Sequence, residues 1–292
     1  MSDLFPPDFV AALTNLRIEA RQVPRGGRPA EHHARQAGAG IEFRDYRPYS
    51  PGDDIRRVDW NLFRRFDRVF LRLLDEVRDL PLYCLLDLSD SMWMEDPPRV
   101  DAARRAAAVM AAVSLNQLDS AAVFPFGARL GAPLHTVQGK QSLHRVLAFL
   151  EAQKALGETD ICGGLNAFSR LPLRKGLVVV ISDFFDSHGL EALKEGFMAV
   201  RHRLLLIRVV RKSDREPGLQ GEYRLADCET DLTLDVSISE EVMARYRKAF
   251  GQFEEGLRAI AALNGAGLLE VDLEKELLPQ FGALFTDGVY RT

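Results

Sequence analysis

The sequence predicts an α/β fold with a mostly parallel central sheet, preceded by an arginine-rich N-terminal extension. Three observations predict it. Residues 82–86, 177–181 and 204–210 are short, continuous apolar runs, the pattern of strands buried on both faces. Helix-period segments separate these runs, as crossover helices separate the strands of a parallel sheet. Two of the runs end abruptly in oxygen-bearing side chains, Asp87-Leu88-Ser89-Asp90-Ser91 and Ser182-Asp183. Open α/β sheets bind their ligands outside the carboxyl ends of the strands.

At 292 residues the chain has room for one large or two modest domains, and its 47% hydrophobic content is ample for a core. We divide it into an extension over residues 1–78 and an α/β domain with a C-terminal elaboration over residues 79–292. The formal net charge of -4 argues against nucleic acid or an anionic membrane as partner. No apolar segment approaches the roughly 18 residues of a membrane span, so membrane insertion is not expected. Met1-Ser2-Asp3 begins no signal-peptide pattern. Cys84, Cys162 and Cys228 are odd in number and far apart, which argues against a disulfide framework and against a zinc site of close cysteine pairs. A cytoplasmic location is the expectation.

In chain order, a short helix is expected after Pro6-Pro7, with Phe9, Leu13, Leu16 and Ile18 apolar. Residues 21–40 read as a loop or arm. Arg25-Gly26-Gly27-Arg28 and His32-His33 could touch phosphate, but the net charge favours a solvated loop. In residues 41–65 aromatics, arginines and carboxylates interleave. The first eighty residues hold 14 Arg and no Lys. Arginine makes planar bidentate pairs with carboxylates, which lysine cannot. Tyr46, Arg47, Tyr49, Asp53, Arg56, Asp59 and Trp60 therefore form either a network that fixes a packed segment or a surface for a partner. Arg56 and Asp59 share a face if they lie on one helical turn.

Residues 69–74 read as a strand or a short helix continuing through Val77. Residues 101–118 form an alanine-rich helix with one apolar face. Residues 120–126 are a strand, and residues 136–138 a short strand or extended loop. Helices follow at 142–153, 161–171 and 190–201. Residues 177–181 are the clearest strand, rich in β-branched side chains. Short strands, antiparallel to each other, are expected at 222–225 and 230–235. A long helix over 237–262 would open on a capping box of Ser237 and Glu240. A last strand at 268–273 and a terminal helix complete the reading.

If the strands at 82–86 and 177–181 are parallel neighbours, Asp87, Ser89, Ser91, Thr159 and Asp183 surround one point. Two close carboxylates repel, and a divalent cation removes that cost. Hard oxygens suit Mg2+, with Mn2+ or Ca2+ as alternatives. Asp160 and Ser182 read as capping or turn residues. No nucleophile–base pair, Walker A motif or Gly-x-Gly-x-x-Gly is present, so no catalytic residue is assigned. The plainer reading of Asp87 to Ser91 is a strand followed by a serine-capped turn.

Asp87-Leu88-Ser89-Asp90-Ser91 resembles the metal-ion-dependent adhesion site (MIDAS) of von Willebrand factor A domains, and Thr159 and Asp183 match its second and third loops in order. The segment from Tyr46-Arg47-Pro48-Tyr49-Ser50-Pro51-Gly52-Asp53-Asp54 through Asp59-Trp60-Asn61 closely resembles the signature of a bacterial family, domain of unknown function 58. Where that family has Ala-Arg after the signature, this chain has Arg64-Arg65. The resemblance covers about residues 35 to 210. It implies a three-layer, Rossmann-like von Willebrand A fold and a non-enzymatic, metal-dependent protein-binding module. It also implies a partner that supplies an Asp or Glu to the metal, such as a MoxR-type AAA+ ATPase, in assembly or maturation of other proteins. Two other readings stand beside it: a metal-dependent hydrolase such as a phosphatase, and a metal-free scaffold.

Overall fold

Continuous apolar strands need cover on both faces, and the fold supplies it from two sets of helices. The structure, a computed structural model, describes residues 4–16, 41–76, 80–117, 119–229 and 232–286. The arm read at residues 21–40, with Ile18 and Val77, lies outside them. The chain divides into two units, residues 21–79 and residues 1–20 together with 80–292. The expected first helix is present as α1 (Pro7–Asn15), within the larger unit.

In the smaller unit, β1 (Ile41–Pro48) pairs antiparallel with β2 (Phe70–Glu76), and α2 (Trp60–Phe66) lies between them in sequence. Residues 69–74, open in sequence between strand and helix, fall in the strand from Phe70 onward. β1 was not anticipated, because its interleaved charges hide any alternation. Buried Val58 bridges to buried Leu71 and anchors the segment that joins the strands.

In the larger unit, β3 (Leu82–Asp87) leads through α3 (Arg99–Asn116) to β4 (Ser120–Phe126) and the edge strand β5 (Leu134–Gln138). Then come α4 (Leu143–Glu151), α5 (Ile161–Ser169), β6 (Leu177–Ser182), α6 (Gly189–Ala199) and β7 (Arg203–Val210). A short α7 (Lys212–Arg215) precedes the hairpin of β8 (Gly221–Ala226) and β9 (Thr233–Ile238). The chain closes with α8 (Glu240–Leu263), β10 (Gly267–Asp272) and α9 (Leu277–Thr286).

The six-stranded sheet has the order β10-β7-β6-β3-β4-β5, parallel except for β4–β5. From β3 the chain first moves to β4 and β5, then returns to β6 and builds outward to β7 and β10. The order therefore reverses between β3 and β6, where a crevice opens at the carboxyl ends of the strands. Alternate residues of β3 enter different apolar clusters: Leu82, Cys84 and Leu86 pack with α1, α3, α4 and α9, and Tyr83 and Leu85 with α5, α6 and α8.

Three details differ from the sequence reading. The helix α3 is buried almost all round, not on one face, from Ala106 to Leu115 without a break. Alanine side chains allow close approach on every side, and α3 lies among the sheet, α1, α4 and α9. The cap of α8 is Ser239, whose Oγ accepts from the Val242 backbone N–H, whereas Ser237 belongs to β9. The side chain of Arg56 stands on a single 3-10 turn (Ile55–Arg57) that ends before Asp59, so the two do not share a helical turn.

Candidate metal centre

The oxygen cluster begins where β3 and β6 end side by side. Asp87 is the last residue of β3 and is fully buried. Its Oδ1 accepts from the Ser89 backbone N–H at 2.9 Å and from the Ser89 hydroxyl at 2.7 Å. The Ser89 and Ser91 hydroxyls lie 3.1 Å apart. The sequence stretch Asp87, Ser89 and Ser91 is thus one connected set. The β3–β6 register pairs Leu86 with Ile181, which brings the next residue, Ser182, to Asp87. The Ser182 hydroxyl donates to Asp87 Oδ2 at 2.5 Å and accepts from the Phe184 N–H at 2.8 Å. Ser182, read above as a capping or turn residue, makes that turn bond and is also a direct partner of Asp87.

Asp183 follows at once and is buried, with its Oδ1 accepting from the Phe185 N–H at 3.0 Å. Phe184, between them, has φ of 63°, a left-handed conformation that costs a bulky residue about 1–3 kcal/mol. Such an outlier beside two buried carboxylates is where strain is expected at a functional site. Burial raises the pKa of Asp183 above the carboxylate range, and the Asp87 charge adds to it. Burial also raises Asp87, against its hydrogen bonds from Ser182 and Ser89. Each carboxylate opposes the ionisation of the other.

Thr159 is brought near by the loop after α4. Leu88 accepts from the Leu156 N–H at 2.8 Å, and the Asp90 N–H donates to the Gly157 carbonyl at 2.8 Å. Gly157 has φ of +80°, which only glycine adopts without cost. Thr159 does not hydrogen-bond the other four residues. Its hydroxyl donates to Glu229 Oε1 at 2.7 Å and its N–H to Glu229 Oε2 at 2.9 Å. A cleft of about 440 Å³ lies beside the cluster, with Ser91, Phe185, Phe253 and Glu229 among its walls.

The sequence reading missed Arg99, Asp214 and Glu229. Arg99 is buried and makes two hydrogen bonds each to Asp214 and Glu95, and its Nη1 lies 3.9 Å from Asp183 Oδ2. Burial opposes its charge, but the Asp214 hydrogen bonds and the Asp183 and Asp214 charges outweigh it and raise its pKa. The available signal was local: arginine opens α3, where the helix dipole disfavours a cation. Asp214 and Glu229 lie more than a hundred residues from Arg99 and carry no such signal.

The signature residues are tied to one another. Asp59 is buried, caps α2 through the Asn61 and Leu62 N–H groups, and accepts from the Tyr46 hydroxyl at 3.0 Å. Arg47 pairs with Asp53 at 2.7 Å. The Tyr49 N–H donates to the Val69 carbonyl, and the Arg56 N–H to the Asp54 carboxylate. Trp60 meets Phe63 edge-on while staying 61% exposed. Tyr46, Arg47, Asp53 and Asp59 thus make hydrogen bonds within the segment, while Trp60, like Ile55 and Phe66, keeps a large exposed apolar surface.

The donor set fits a divalent cation. Asp87, Ser89, Ser91, Thr159 and Asp183 offer only hard oxygens, and two of them are buried like charges. Hydroxyls that donate to a carboxylate keep their lone pairs for an ion. Asp160, Asp186 and His188 also bring ligand atoms within 4.8 Å. Asp160, however, caps α5 through Gly163, and Asp186 accepts from the Ile161 N–H and from His188. That group is explained as turn chemistry.

A mostly parallel α/β sheet with an all-oxygen cluster at its switch point defines the class. The chain belongs to the family described as protein of unknown function DUF58, whose profile matches residues 45–255. An uncharacterized protein of Mycobacterium bovis, Mb1516, is 28% identical over 285 residues, covering 94% of this chain and 88% of that protein. The Mycobacterium tuberculosis protein Rv1480 matches with the same identity and coverage. Structural matches include the conserved hypothetical protein BatB from Bacteroides thetaiotaomicron, with a TM-score of 0.43 and 15% identity over 73% of this chain and 100% of that one. An aerotolerance-related membrane protein from Bacteroides fragilis matches over the same shares with a TM-score of 0.41 and 14% identity. Among the described residues, no helix of this chain is long and apolar enough to cross a membrane.

Proposed function

We propose that this chain is a non-enzymatic, metal-dependent protein-binding module with a von Willebrand factor A arrangement. One observation carries the reading: two buried carboxylates, Asp87 and Asp183, end adjacent parallel strands beside the Ser89 and Ser91 hydroxyls. Asp87 and Asp183 would supply charge to Mg2+, Ser89 and Ser91 would coordinate, and Thr159 would coordinate or hold a water. The ion would offset the mutual repulsion of the carboxylates and leave a position for a carboxylate from outside. The cleft beside Ser91 gives such a side chain a route in. The partner is a protein with an exposed Asp or Glu, and a cytoplasmic MoxR-type AAA+ ATPase acting in assembly or maturation is our candidate. Trp60, exposed in the signature segment, is suited to an interface.

The test is retention of a purified MoxR-type ATPase on immobilised protein, in Mg2+ and in EDTA. Wild type should retain it in Mg2+ only. Asp87→Ala should lose retention, with its far-ultraviolet circular dichroism unchanged. Equal retention in EDTA would sink the metal-bridged reading.

A further inference from the structure

Glu229 reaches the site from outside the sheet. It sits in the connection between β8 and β9, seventy residues beyond Thr159, and spends both carboxylate oxygens on that one residue. Its own N–H donates to Asp227 Oδ1 at 2.9 Å, which fixes the turn that presents it. Its charge bears on Asp87 and opposes the ionisation of that carboxylate. A third negative charge beside two buried carboxylates is unfavourable in the metal-free protein. It becomes favourable once a cation is shared. Among the described residues the hairpin that carries Glu229 contributes none to either apolar cluster, every residue of β8 is exposed, and on β9 only Ile238, at the end away from Glu229, is buried. The hairpin can therefore withdraw without opening the core.

We propose that Glu229 is a built-in carboxylate occupying the place of the partner's acidic side chain, so that docking requires its displacement. This rests on the reading that Asp87, Ser89, Ser91, Thr159 and Asp183 hold a divalent cation. Tethered on a short loop, Glu229 has an effective concentration in the millimolar range or above. A free carboxylate of weak affinity cannot compete with it. The partner has to bring further contacts beside its acidic group, and these have to fall near the vacated hairpin. The exposed Tyr223, Leu225 and Leu234 on the hairpin are then released together with Glu229.

The experiment measures Mn2+ binding by water-proton relaxation in the full chain, with potassium acetate or potassium chloride added at equal ionic strength. Acetate is the probe for an outside carboxylate. Wild type should bind Mn2+ and ignore acetate. Glu229→Ala and Glu229→Gln should each bind Mn2+ about tenfold more weakly, equivalent to about 1.4 kcal/mol, and acetate should restore part of the loss. Glutamine keeps an acceptor for the Thr159 hydroxyl, so a mere loop tie would leave Glu229→Gln equal to wild type. Variants that match wild type, or that weaken without any response to acetate, would overturn the proposal while the cation site stands. Equal Mn2+ binding by wild type and Asp87→Ala would remove the cation site itself, and this proposal with it.

Discussion

Arg208 shows what a single buried charge demands of its surroundings. It is 1% exposed, lies on β7 and stacks against Phe185, Phe250 and Phe253 at 5.8, 5.3 and 5.0 Å. Glu254 pairs with it at 3.2 Å and Glu270 at 3.6 Å, while its Nε and Nη2 have no protein partner. Removing Glu254 should cost about 3 kcal/mol, the lower end for breaking a buried pair, because Glu270 remains. Burial opposes the Glu254 charge, but the Arg215 hydrogen bond and charge outweigh it, with Arg208 behind them, and hold its pKa below the usual value. A folded-state pKa below the unfolded one contributes stability above the unfolded value of about 4.3, and that stability is lost as pH falls through the folded value. Urea unfolding of wild type and Glu254→Gln should therefore differ at pH 7 and converge as pH falls from the unfolded value through the lower folded one. A constant difference across that range would show that the charge is not what Glu254 contributes. At this scale the sequence showed what local spacing encodes. Asp87, Ser89 and Ser91 could be read together because they alternate in one stretch. Ser182, Glu229 and Asp214 could not, since their relevance depends on strand register and on contacts between distant segments.

Helix ends and strand starts separate two kinds of signal. The sequence offered Ser237 and Glu240 as the capping box of α8, a correct pattern at the wrong place. Two residues on, Ser239 makes the bond, because β9 pairing with β8 claims Ser237, opposite Glu222. Ser239→Ala should lower stability by about 1 kcal/mol, while Ser237→Ala should change it by less than about 0.5 kcal/mol, as surface substitutions do. Thermal melts of the two variants give the comparison, and equal shifts would return the cap to Ser237. The start of β6 makes a different demand. A Cβ on Gly176 would lie 2.1 Å from the Pro81 carbonyl oxygen, where β3 and β6 come together. Because the obstacle is backbone, Gly176→Ala should cost about 1–3 kcal/mol, as overpacking does. The strands themselves were legible because burial on both faces leaves an unbroken apolar run. β1 was not, because arginines and carboxylates interleave along its sequence and leave no apolar stripe to read.

At the scale of the molecule, all five candidate ligand residues and Glu229 belong to the larger unit, drawn from β3 and the turn after it, the loop after α4, the end of β6 and the β8–β9 connection. Sequence alone could supply the strands but not their order. That order, β10-β7-β6-β3-β4-β5, is what makes Asp87 and Asp183 neighbours. An ion bound there would join elements that are widely separated in the chain, so its effect should spread beyond its ligands. Binding to the native state alone stabilises by mass action, about 2.7 kcal/mol at a hundredfold excess over the dissociation constant. For a unit of this size that corresponds to a rise in melting temperature of about 5–10 °C. Hydrogen exchange with and without saturating Mn2+ locates the gain. Protection should rise in residues 87–91, 157–161 and 182–186, which meet at the crevice, and in β3 and β6, whose ends the ion would clamp. Asp87→Ala should show neither the protection nor the thermal shift. Protection confined to the acidic turn of Asp160, Asp186 and His188 would move the cation to that turn and take the Asp87 site out of the account.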